Sequence, residues 1–381
     1  MRVLVVGAGV IGCAVARTLA SDHDVRVVDR TGVAAGATAR GAGEVTMAPS
    51  YTDYPAIAAA ANDFFREYDG TRDFSYVESE SVELVSPERE GEARRRVERL
   101  TGEGVALEFL DAAEAASAYP RFDFSSFAGV VRHDETGFCD PETFAETLAA
   151  DASDAGATFE TGVEVTGLAA EDGVVRGAET TDGVRESDAV VAAAGWRTPD
   201  LLAPHLRLPV RPYRTQCAVY RPDPPLTADH PMGWVPGEHV YFRRMQNDED
   251  LLVGGWSVAE DAPESASRES DEAFRDHVRA LVPTFLTGFD DPRLVDHWAG
   301  VDAATPDTRP IVDAPADAPE GLVVATGFHG RGIMTAPVAA TAVRSLLTGA
   351  DAPFSLDPFR LDRFDSRSAE FEFHSISDGD S

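Results

Sequence analysis

A glycine-rich motif near the N-terminus has the spacing of a dinucleotide-binding turn. The pattern Gly-x-Gly-x-x-Gly spans residues 7–12, directly after the apolar run Val3–Val6 and directly before a helical pattern. In such a turn the first glycine permits the bend, the second lets a pyrophosphate approach the backbone, and the third lets the helix pack on the strand. We therefore predict that a dinucleotide contacts Gly7, Gly9, Val10, Ile11 and Gly12.

An acidic residue further along completes this pattern. Asp29 lies 17 residues beyond Gly12, at the end of the next predicted strand, and Arg30 follows it. A carboxylate at that place can accept hydrogen bonds from the ribose hydroxyls of a dinucleotide. Because strand, turn, helix, strand and acid occur in the expected order, the motif predicts dinucleotide binding rather than a chance glycine-rich turn.

A second glycine-rich turn lies near the C-terminus. The apolar strand pattern at residues 322–326 leads into Gly327, Gly330 and Gly332, and a helix is predicted to begin near Ile333. Backbone N–H groups at the start of a helix can meet negative charge, such as an anion that develops on a cofactor. A simple nicotinamide dehydrogenase, one alternative, does not need a chain that returns to its first domain at residue 322.

Four stretches of the sequence resemble the flavoenzyme family of glycine oxidase, sarcosine oxidase and D-amino-acid dehydrogenase. Residues 36–43 are similar to the flavin-side loop, 190–196 to the second nucleotide strand, 305–310 to the Thr-Pro-Asp segment, and 325–333 to the C-terminal flavin loop. Each motif is moderately specific, but their order and separation together are strongly so. The resemblance covers residues 1 to about 364.

The resemblance implies FAD as the cofactor, bound without a covalent bond. Monomeric sarcosine oxidases attach the flavin to a cysteine just before the Thr-Pro-Asp segment, where this chain has Gly300. Relatives that use histidine place it in the N-terminal loop, and residues 36–50 contain none. The flavin contacts implied beyond the two glycine-rich turns are Thr38, Arg40, Gly43, Val165, Ala194, Gly195, Trp196 and Met334.

The resemblance also implies the reaction, which is hydride transfer from the α carbon of an amine or amino acid to flavin N5, followed by hydrolysis of the imine. An amino-acid carboxylate needs a cation, best a bidentate arginine. The candidate catalytic residues are Tyr241, Arg243, Arg331 and His329. The two arginines could instead be surface charges, and His329 could be a loop residue with satisfied hydrogen bonds.

Three positions depart from the family pattern. Glycine oxidases have an arginine before the Thr-Pro-Asp segment where this chain has Asp302, and sarcosine oxidases have a lysine after the flavin loop where it has Met334. The lysine that assists oxygen reduction in sarcosine oxidases matches a position near Leu252, and the chain contains no lysine. A fixed positive charge stabilises the anion formed from oxygen, so we expect an acceptor other than oxygen or a slow oxygen reaction.

The elements that position these residues predict two interleaved domains of an α/β protein. The first is a Rossmann-like FAD-binding domain of residues 1–73, 137–208 and 295–364. The second is an α+β substrate domain with a mostly antiparallel sheet, formed by residues 74–136 and 209–294. Alternating strand patterns and the proline-rich stretch inside the last range support the antiparallel sheet.

Composition limits the possible partners. Acidic residues number 66 against 33 basic ones, the net charge is −33, and every basic residue is arginine. Binding to nucleic acid or to an anionic membrane surface needs clustered positive charge, so neither is an expected partner. The acidic excess resembles that of proteins from salt-accumulating halophiles, whereas high-GC codon bias would explain only the arginines. The acidic segment at residues 365–381 is expected to be poorly ordered.

Other features argue against a membrane protein or a metal site. No apolar run approaches the roughly 20 residues that a membrane helix needs, and we expect a cytoplasmic protein with no membrane span. The three cysteines are far apart and form no metal-ligand spacing, so no metal is predicted. Two further alternatives remain open at this stage: a flavoenzyme that oxidises 2-hydroxy acids, and a flavin-binding protein without catalysis.

Overall fold

A computed structural model describes residues 1–375. The strands of this part are β1 (Arg2–Val6), β2 (Asp24–Asp29), β3 (Glu44–Val45), β4 (Tyr76–Glu78), β5 (Ser81–Val85), β6 (Leu107–Asp111), β7 (Gly129–His133), β8 (Gly137–Cys139), β9 (Thr158–Thr161), β10 (Val165–Glu171), β11 (Val174–Thr180), β12 (Gly183–Glu186), β13 (Ala189–Ala192), β14 (Arg211–Arg221), β15 (Met232–Val235), β16 (Val240–Arg244), β17 (Leu251–Ala259), β18 (Arg293–Ala304), β19 (Ile311–Asp313) and β20 (Leu322–Thr326). Its α-helices are α1 (Val10–Leu19), α2 (Met47–Ser50), α3 (Pro55–Tyr68), α4 (Glu90–Gly102), α5 (Ala112–Ala118), α6 (Pro141–Asp154), α7 (Thr198–Leu202), α8 (Glu272–Leu281) and α9 (Gly332–Thr348).

A six-stranded sheet with the order β19-β20-β13-β1-β2-β9 carries both glycine-rich turns. Its strands pair in parallel except for β19, which runs antiparallel to β20. Helices α1, α6 and α9 cover one face, and the small sheet β10-β11-β12 with α7 contributes to the core on the other. Because both faces are covered, the central strands are runs of valine, leucine and alanine without polar alternation.

An eight-stranded sheet with the order β18-β14-β17-β16-β15-β5-β7-β6 forms the second part of the molecule. All of its pairs are antiparallel except β15 with β5. One face packs on a core that includes residues of α5 and α8. Side chains on the opposite face are free to line a cavity, and the strands alternate accordingly: Phe242 lies in the core and Tyr241 on the other side.

The predicted fold class is confirmed, with a parallel sheet and a mostly antiparallel sheet interleaved along the chain. The parallel sheet takes its strands from three separate stretches of sequence, and the antiparallel sheet takes its strands from two. The residues from 293 onward show how closely the two sheets are joined. Strand β18 begins at Arg293 and pairs with β14 in the antiparallel sheet, although residues from 295 were predicted within the FAD-binding part.

Local sequence signals explain where several helices begin. Asp111 accepts hydrogen bonds from the N–H groups of Ala113 and Glu114 at the start of α5, and the Glu114 side chain accepts from the Asp111 N–H to complete a capping box. Asp140 caps α6 through the N–H of Thr143, with proline at the first helical position. These caps place both helices against the sheets that they cover.

The segment after residue 364 differs from the expectation of poor order. Residues 376–381 lie outside the described part, but residues 371–375 pack on the eight-stranded sheet and on the loop before α9. The ring of Phe373 lies 5.2 Å from that of Tyr213 and 5.5 Å from that of His329, and the carbonyl of His374 accepts a hydrogen bond from His329. The segment packs on the protein despite its acidic composition, because the Phe373 ring contacts Tyr213 and His329 and shields the buried histidine from water.

This contact predicts that the C-terminal segment contributes to stability. Phe373→Ala should lower the free energy of unfolding by about 1–2 kcal/mol, less than the ~3–5 kcal/mol of a fully buried phenylalanine because Phe373 is only half-buried. Thermal and denaturant unfolding would measure the change. Glu372→Ala, at an exposed neighbour, is the control, and equal stability of the two variants would show that the ring contact contributes nothing.

Candidate active site and cofactor cleft

A cavity of about 1080 Å³ lies between the two large sheets and joins both glycine-rich turns. Its volume exceeds the upper range of ordinary small-molecule pockets, about 1,000 Å³, so it has room for a large ligand. At one end it is lined by the turn after β1 and the end of β2. At the other end it is lined by the loop before α9 and by the open face of the eight-stranded sheet.

The first glycine-rich turn is shaped by close backbone contacts. Gly7 has a φ of +107°, and a Cβ there would overlap the carbonyl of Ala193. A Cβ on Gly12 would overlap the carbonyl of Gly7, so Gly12 lies behind the turn and not in the cavity. Gly9, Val10 and Ile11 line the cavity. The third glycine therefore serves packing between helix and strand, while the first residues of α1 face the cleft.

Asp29 lines the cavity and also holds the turn in place. One of its oxygens accepts a hydrogen bond from the Ala8 N–H at 2.8 Å, and the other accepts from the N–H groups of Thr31 at 2.7 Å and Gly32 at 3.1 Å. Carboxylate bonds of this kind are among the stronger hydrogen bonds in proteins. Asp29 thus joins the end of β2 to the glycine-rich turn, and its carboxylate faces the ligand space.

The outer part of this end contains ion pairs that the sequence reasoning did not identify. Arg30 and Arg197 both bind Glu264, at 3.1 and 2.8 Å, and the Arg197 guanidinium lies 3.9 Å from the centre of the Trp196 ring. All four residues line the cavity, as do Val165, Ala194 and Gly195. Glu264 comes from the loop after β17, far away in sequence, so no local motif could have predicted it.

The loop of residues 38–43 forms the middle of the cavity wall. The hydroxyl of Thr38 accepts a hydrogen bond from the Val10 N–H at 3.0 Å, which fixes the loop to the start of α1. Arg40 and Gly43 line the cavity, and a Cβ on Gly43, whose φ is +74°, would overlap the carbonyl of Cys139. Within residues 1–375 the guanidinium of Arg40 forms no ion pair or hydrogen bond.

The second glycine-rich turn presents the start of α9 to the same cavity. Gly330, Gly332, Ile333 and Met334 line it, whereas Gly327 forms the bend behind them with a φ of +72°. The first helical N–H to bond within α9 is that of Thr335. Within the described residues, the N–H groups of Gly332, Ile333 and Met334 have no acceptor in the protein, so they are available to an anionic ligand.

Arg331 is a buried cation at the edge of this turn. Its side chain is only 7% exposed, and its Nη1 donates hydrogen bonds to the carbonyl and the hydroxyl of Thr308, at 2.9 and 3.0 Å. Its remaining N–H groups have no partner within residues 1–375, and it lines the cavity. Burial lowers the pKa of Arg331, but a guanidinium remains protonated at any ordinary pH.

The structure places two of the four predicted catalytic residues outside the cavity. Arg243 lies beneath the loop of residues 42–44, where its Nε donates to the carbonyl of Ala42 at 2.5 Å and its Nη1 to that of Arg244 at 2.8 Å. His329 is fully buried, and its two ring nitrogens are bonded to Thr305 and His374. Burial lowers the His329 pKa to about 4. Tyr241 and Arg331 are the two that line the cavity.

Several cavity residues were not predicted as site residues. Tyr213, Trp234 and Ser257 project from the open face of the eight-stranded sheet, and Glu44 projects from β3. Asp302 lines the cavity beside them; its Oδ2 accepts the Gly330 N–H at 2.8 Å, and burial raises its pKa. Strand alternation could have indicated one face of each strand, but not which strands border the cavity.

Within residues 1–375, no helix is long and apolar enough to cross a membrane. The same part of the chain contains no group of three or more His, Cys, Asp or Glu side chains arranged to hold a metal ion. The ligand space is therefore defined by backbone N–H groups, arginines, aromatic rings and a few carboxyls.

Comparison with known proteins identifies the family of the chain and its cofactor. Residues 2–346 match the family described as DAO, FAD dependent oxidoreductase. The chain belongs to this family. A D-amino acid dehydrogenase of Cereibacter sphaeroides is 30% identical, with 92% of each chain covered, and a glycine oxidase of Pseudomonas putida is 27% identical, with 94% of this chain and 97% of that protein covered.

Solved structures of the family have the same fold. The glycine oxidase from Geobacillus kaustophilus superimposes with a TM-score of 0.84 at 25% identity, covering 95% of this chain and 99% of that one. An L-proline dehydrogenase from P. horikoshii gives a TM-score of 0.85 at 21% identity, covering 95% and 98%. The chain is thus an FAD-dependent oxidoreductase, and its predicted family and cofactor are confirmed.

The cavity fits FAD on the chain's own geometry. Gly7 and Gly43 let the cavity wall pack closely on the backbone behind it, since a Cβ at either position would overlap the carbonyl of Ala193 or Cys139. Two helix N-termini, those of α1 and α9, open into one continuous space, and such termini favour the charges of a pyrophosphate and of an electron-rich ring system. Asp29 lines the same space beside the first glycine-rich turn, and the stacked pair of Trp196 and Arg197 lines it further out.

Asp29 predicts a test of this arrangement. Asp29→Ala should weaken FAD binding about 10- to 100-fold, because the loss of carboxylate hydrogen bonds costs about 1.5–3 kcal/mol and loosens the glycine-rich turn. The dissociation constant would be measured by titrating apoprotein with FAD and following flavin fluorescence. Asp22→Ala, at an exposed position between α1 and β2, is the control. Unchanged FAD affinity of Asp29→Ala would remove Asp29 from the site.

Proposed function

We propose that the enzyme oxidises the C–N bond of an amino acid, with the substrate carboxylate held by Arg331. The observation that carries this proposal is a buried guanidinium that lines the flavin cavity and keeps N–H groups without a protein partner. A buried cation without an ion pair is costly, and a carboxylate is the ligand that its planar donors fit best. The relatives named D-amino acid dehydrogenase and glycine oxidase support an amino-acid substrate.

The chain's own residues bind and orient the substrate. Arg331 projects from the loop before α9, beside the N–H groups that face the cofactor, so a carboxylate bound there lies next to the flavin region. Tyr241 and Tyr213 line the sheet side of the same space and exclude water from it. FAD, when bound, supplies the acceptor for the hydride of the α carbon. Fixing the carboxylate limits the orientations of that C–H bond, which raises the rate of transfer.

A 2-hydroxy acid would present the same carboxylate to Arg331, so this cation alone does not separate the two substrate classes. The relatives named D-amino acid dehydrogenase and glycine oxidase favour the amino acid.

We also propose that FAD is bound without a covalent link. Gly300, at the position that matches the flavin-linking cysteine of sarcosine oxidases, packs against the side chain of Arg40, and a Cβ there would lie 2.6 Å from the Arg40 Cβ. Any side chain at this position would have to displace the flavin-side loop. The close contact between β18 and this loop supports a cofactor held by hydrogen bonds and packing.

Removing the Arg331 cation should impair substrate binding. Arg331→Leu is expected to raise the KM for an amino acid at least ~30-fold, since losing one partner of a buried charged pair costs about 2–5 kcal/mol. The dissociation constant of a simple carboxylic acid, followed by the change in the flavin spectrum, should rise in parallel. Arg344→Leu, at an exposed position of α9, is the control. A normal affinity for carboxylates would contradict the assignment.

The second functional proposal concerns the electron acceptor. Leu252 is buried in a small apolar cluster, and the chain contains no lysine, so the cations near the sheet side of the cavity, among them Arg40, Arg243 and Arg331, are delocalised guanidiniums. We expect the reduced enzyme to react with a dye acceptor at least ~10-fold faster than with oxygen, because a compact charge that would stabilise the oxygen anion is missing. Reduction without air, followed by admission of air or dye, measures both rates. Peroxide formation as fast as dye reduction would show an oxidase.

A further inference from the structure

We propose that Glu44 is the catalytic residue that receives the ammonium proton of the substrate before its C–N bond is oxidised. This inference rests on the proposed oxidation of an amino acid. A protonated amine has no lone pair to stabilise the electron-deficient carbon that forms as the hydride leaves, so the proton must first go to another group. The structure offers a carboxyl at the cavity wall for this purpose.

The backbone fixes the direction of the Glu44 side chain. Glu44 forms strand β3 with Val45, and it pairs with Phe138 of β8. Val45 is completely buried in the core of the parallel sheet, so alternation along the strand turns Glu44 the other way, toward the cavity that it lines. Gly43 ahead of it is held against β8, because its carbonyl accepts the Cys139 N–H at 2.9 Å and a Cβ on Gly43 would overlap the carbonyl of Cys139.

One carboxyl oxygen of Glu44 has no partner in the protein. Its Oε1 is buried and forms no hydrogen bond within residues 1–375. A buried polar atom without a partner costs free energy, and native structures tolerate few of them. The other oxygen, Oε2, also lacks a hydrogen bond within residues 1–375 but is not buried, so it is the oxygen that a ligand N–H in the cavity can reach. The partly exposed surface of the Glu44 side chain is its surface toward this cavity.

The groups around Glu44 keep it from being an ordinary surface acid. Arg243 and Tyr241 face it from β16, and Cys217 faces it from β14. The Arg243 guanidinium is bonded to backbone carbonyls and forms no ion pair with Glu44 within the described part of the chain. Burial raises the Glu44 pKa to about 8, against the opposing effect of the Arg243 charge. The group therefore exchanges its proton in the range where a free amino acid carries an ammonium.

Other candidate bases near the cavity are hydrogen-bonded or too weakly basic. His133 lines the cavity with an unbonded Nδ1, but burial and the Arg96 charge lower its pKa to about 4, so it takes up an ammonium proton poorly. Asp302 accepts the Gly330 N–H through Oδ2 and lies against Tyr213. Glu83 is paired with Arg96, and both nitrogens of His329 are bonded away from the cavity. Glu44 combines a place in the cavity wall with an unbonded oxygen.

The proposed step is a proton transfer that needs no other reactant. The N–H bond of the ammonium breaks, an O–H bond forms on the Glu44 carboxylate, and the electron pair of the N–H bond stays on nitrogen as the amine lone pair. The substrate and Glu44 together then hold one proton, which is a property of the pair rather than of either group. Oxidation of the amine follows by the proposed activity.

The pH dependence of flavin reduction tests this assignment. For the wild-type enzyme, the rate of reduction divided by the substrate dissociation constant should rise tenfold per pH unit below about 8 and then level off until the pKa of the free amine. Below pH 8 both Glu44 and the substrate amine are protonated, so one proton must leave before the amine can react. Above pH 8 Glu44 is ionised, and the ammonium proton passes directly to it. In Glu44→Gln the level region should vanish, and the loss at pH 8.5 should be about 10²-fold.

The controls separate chemistry from folding. Gln has the shape of the neutral glutamic acid, so FAD content and thermal stability should be unchanged. Glu171→Gln makes the same change at an exposed glutamate of β10 and should keep the wild-type profile. Reduction of wild-type flavin by none of a panel of amino acids would overturn the proposed function itself, whereas identical pH profiles of wild type and Glu44→Gln would overturn only the role of Glu44.

A second measurement does not depend on turnover. 2-Aminoisobutyrate has no hydrogen on its α carbon, so it can bind but cannot be oxidised. Calorimetry in buffers of different ionisation enthalpy counts the protons released when it binds to wild-type holoenzyme. We expect about one proton released at pH 7 and none at pH 9, with no such change in Glu44→Gln. A proton count that stays constant across pH 8 in the wild type would overturn the proposal.

Discussion

The side-by-side pairing of β13 with β1 and β20 is the interaction on which the site depends. Val6 lies opposite Ala192, and Ala192 lies opposite Val324, so three parallel strands end at the same edge of the sheet. The carboxyl ends of parallel strands are where α/β proteins bind ligands, because the following turns converge there. Both glycine-rich turns and the loop with Trp196 are thereby brought into one cleft, although more than 300 residues separate the first turn from the last.

The parts of the structure that could be predicted are those in which local sequence determines local geometry. The strand, turn and helix around residues 7–12, the turn before α9 and the alternation of Tyr241 with Phe242 all follow from short-range rules. The position of Arg243 is not predicted by these rules. It lies on the cavity side of β16, as alternation requires, but the loop of residues 42–44 covers it, and no local pattern indicates that this loop crosses the strand.

His329 and Glu44 show the same limit for single side chains. The sequence places His329 in the flavin loop, but its contacts with Thr305 and with the C-terminal segment depend on packing over long distances, and they leave it neutral and out of the cavity. No sequence motif indicated Glu44 as a site residue. Its unusual position arises because β3 is a two-residue strand between a core and a cavity, and burial rather than sequence context changes its acidity.

The replacement at Asp302 shows how charge is redistributed in this cavity. Glycine oxidases, which this chain resembles, have an arginine at the matching position. An ionised acid without hydrogen bonds there would repel a substrate carboxylate. Asp302 instead accepts the Gly330 N–H and lies against Tyr213, so its charge helps to hold the loop that carries Arg331. An acid that orients the loop beside a buried arginine can strengthen carboxylate binding indirectly, because the arginine is positioned before the ligand arrives. The loss of one cation from the sheet is thus compatible with a carboxylate site that has moved to the start of α9.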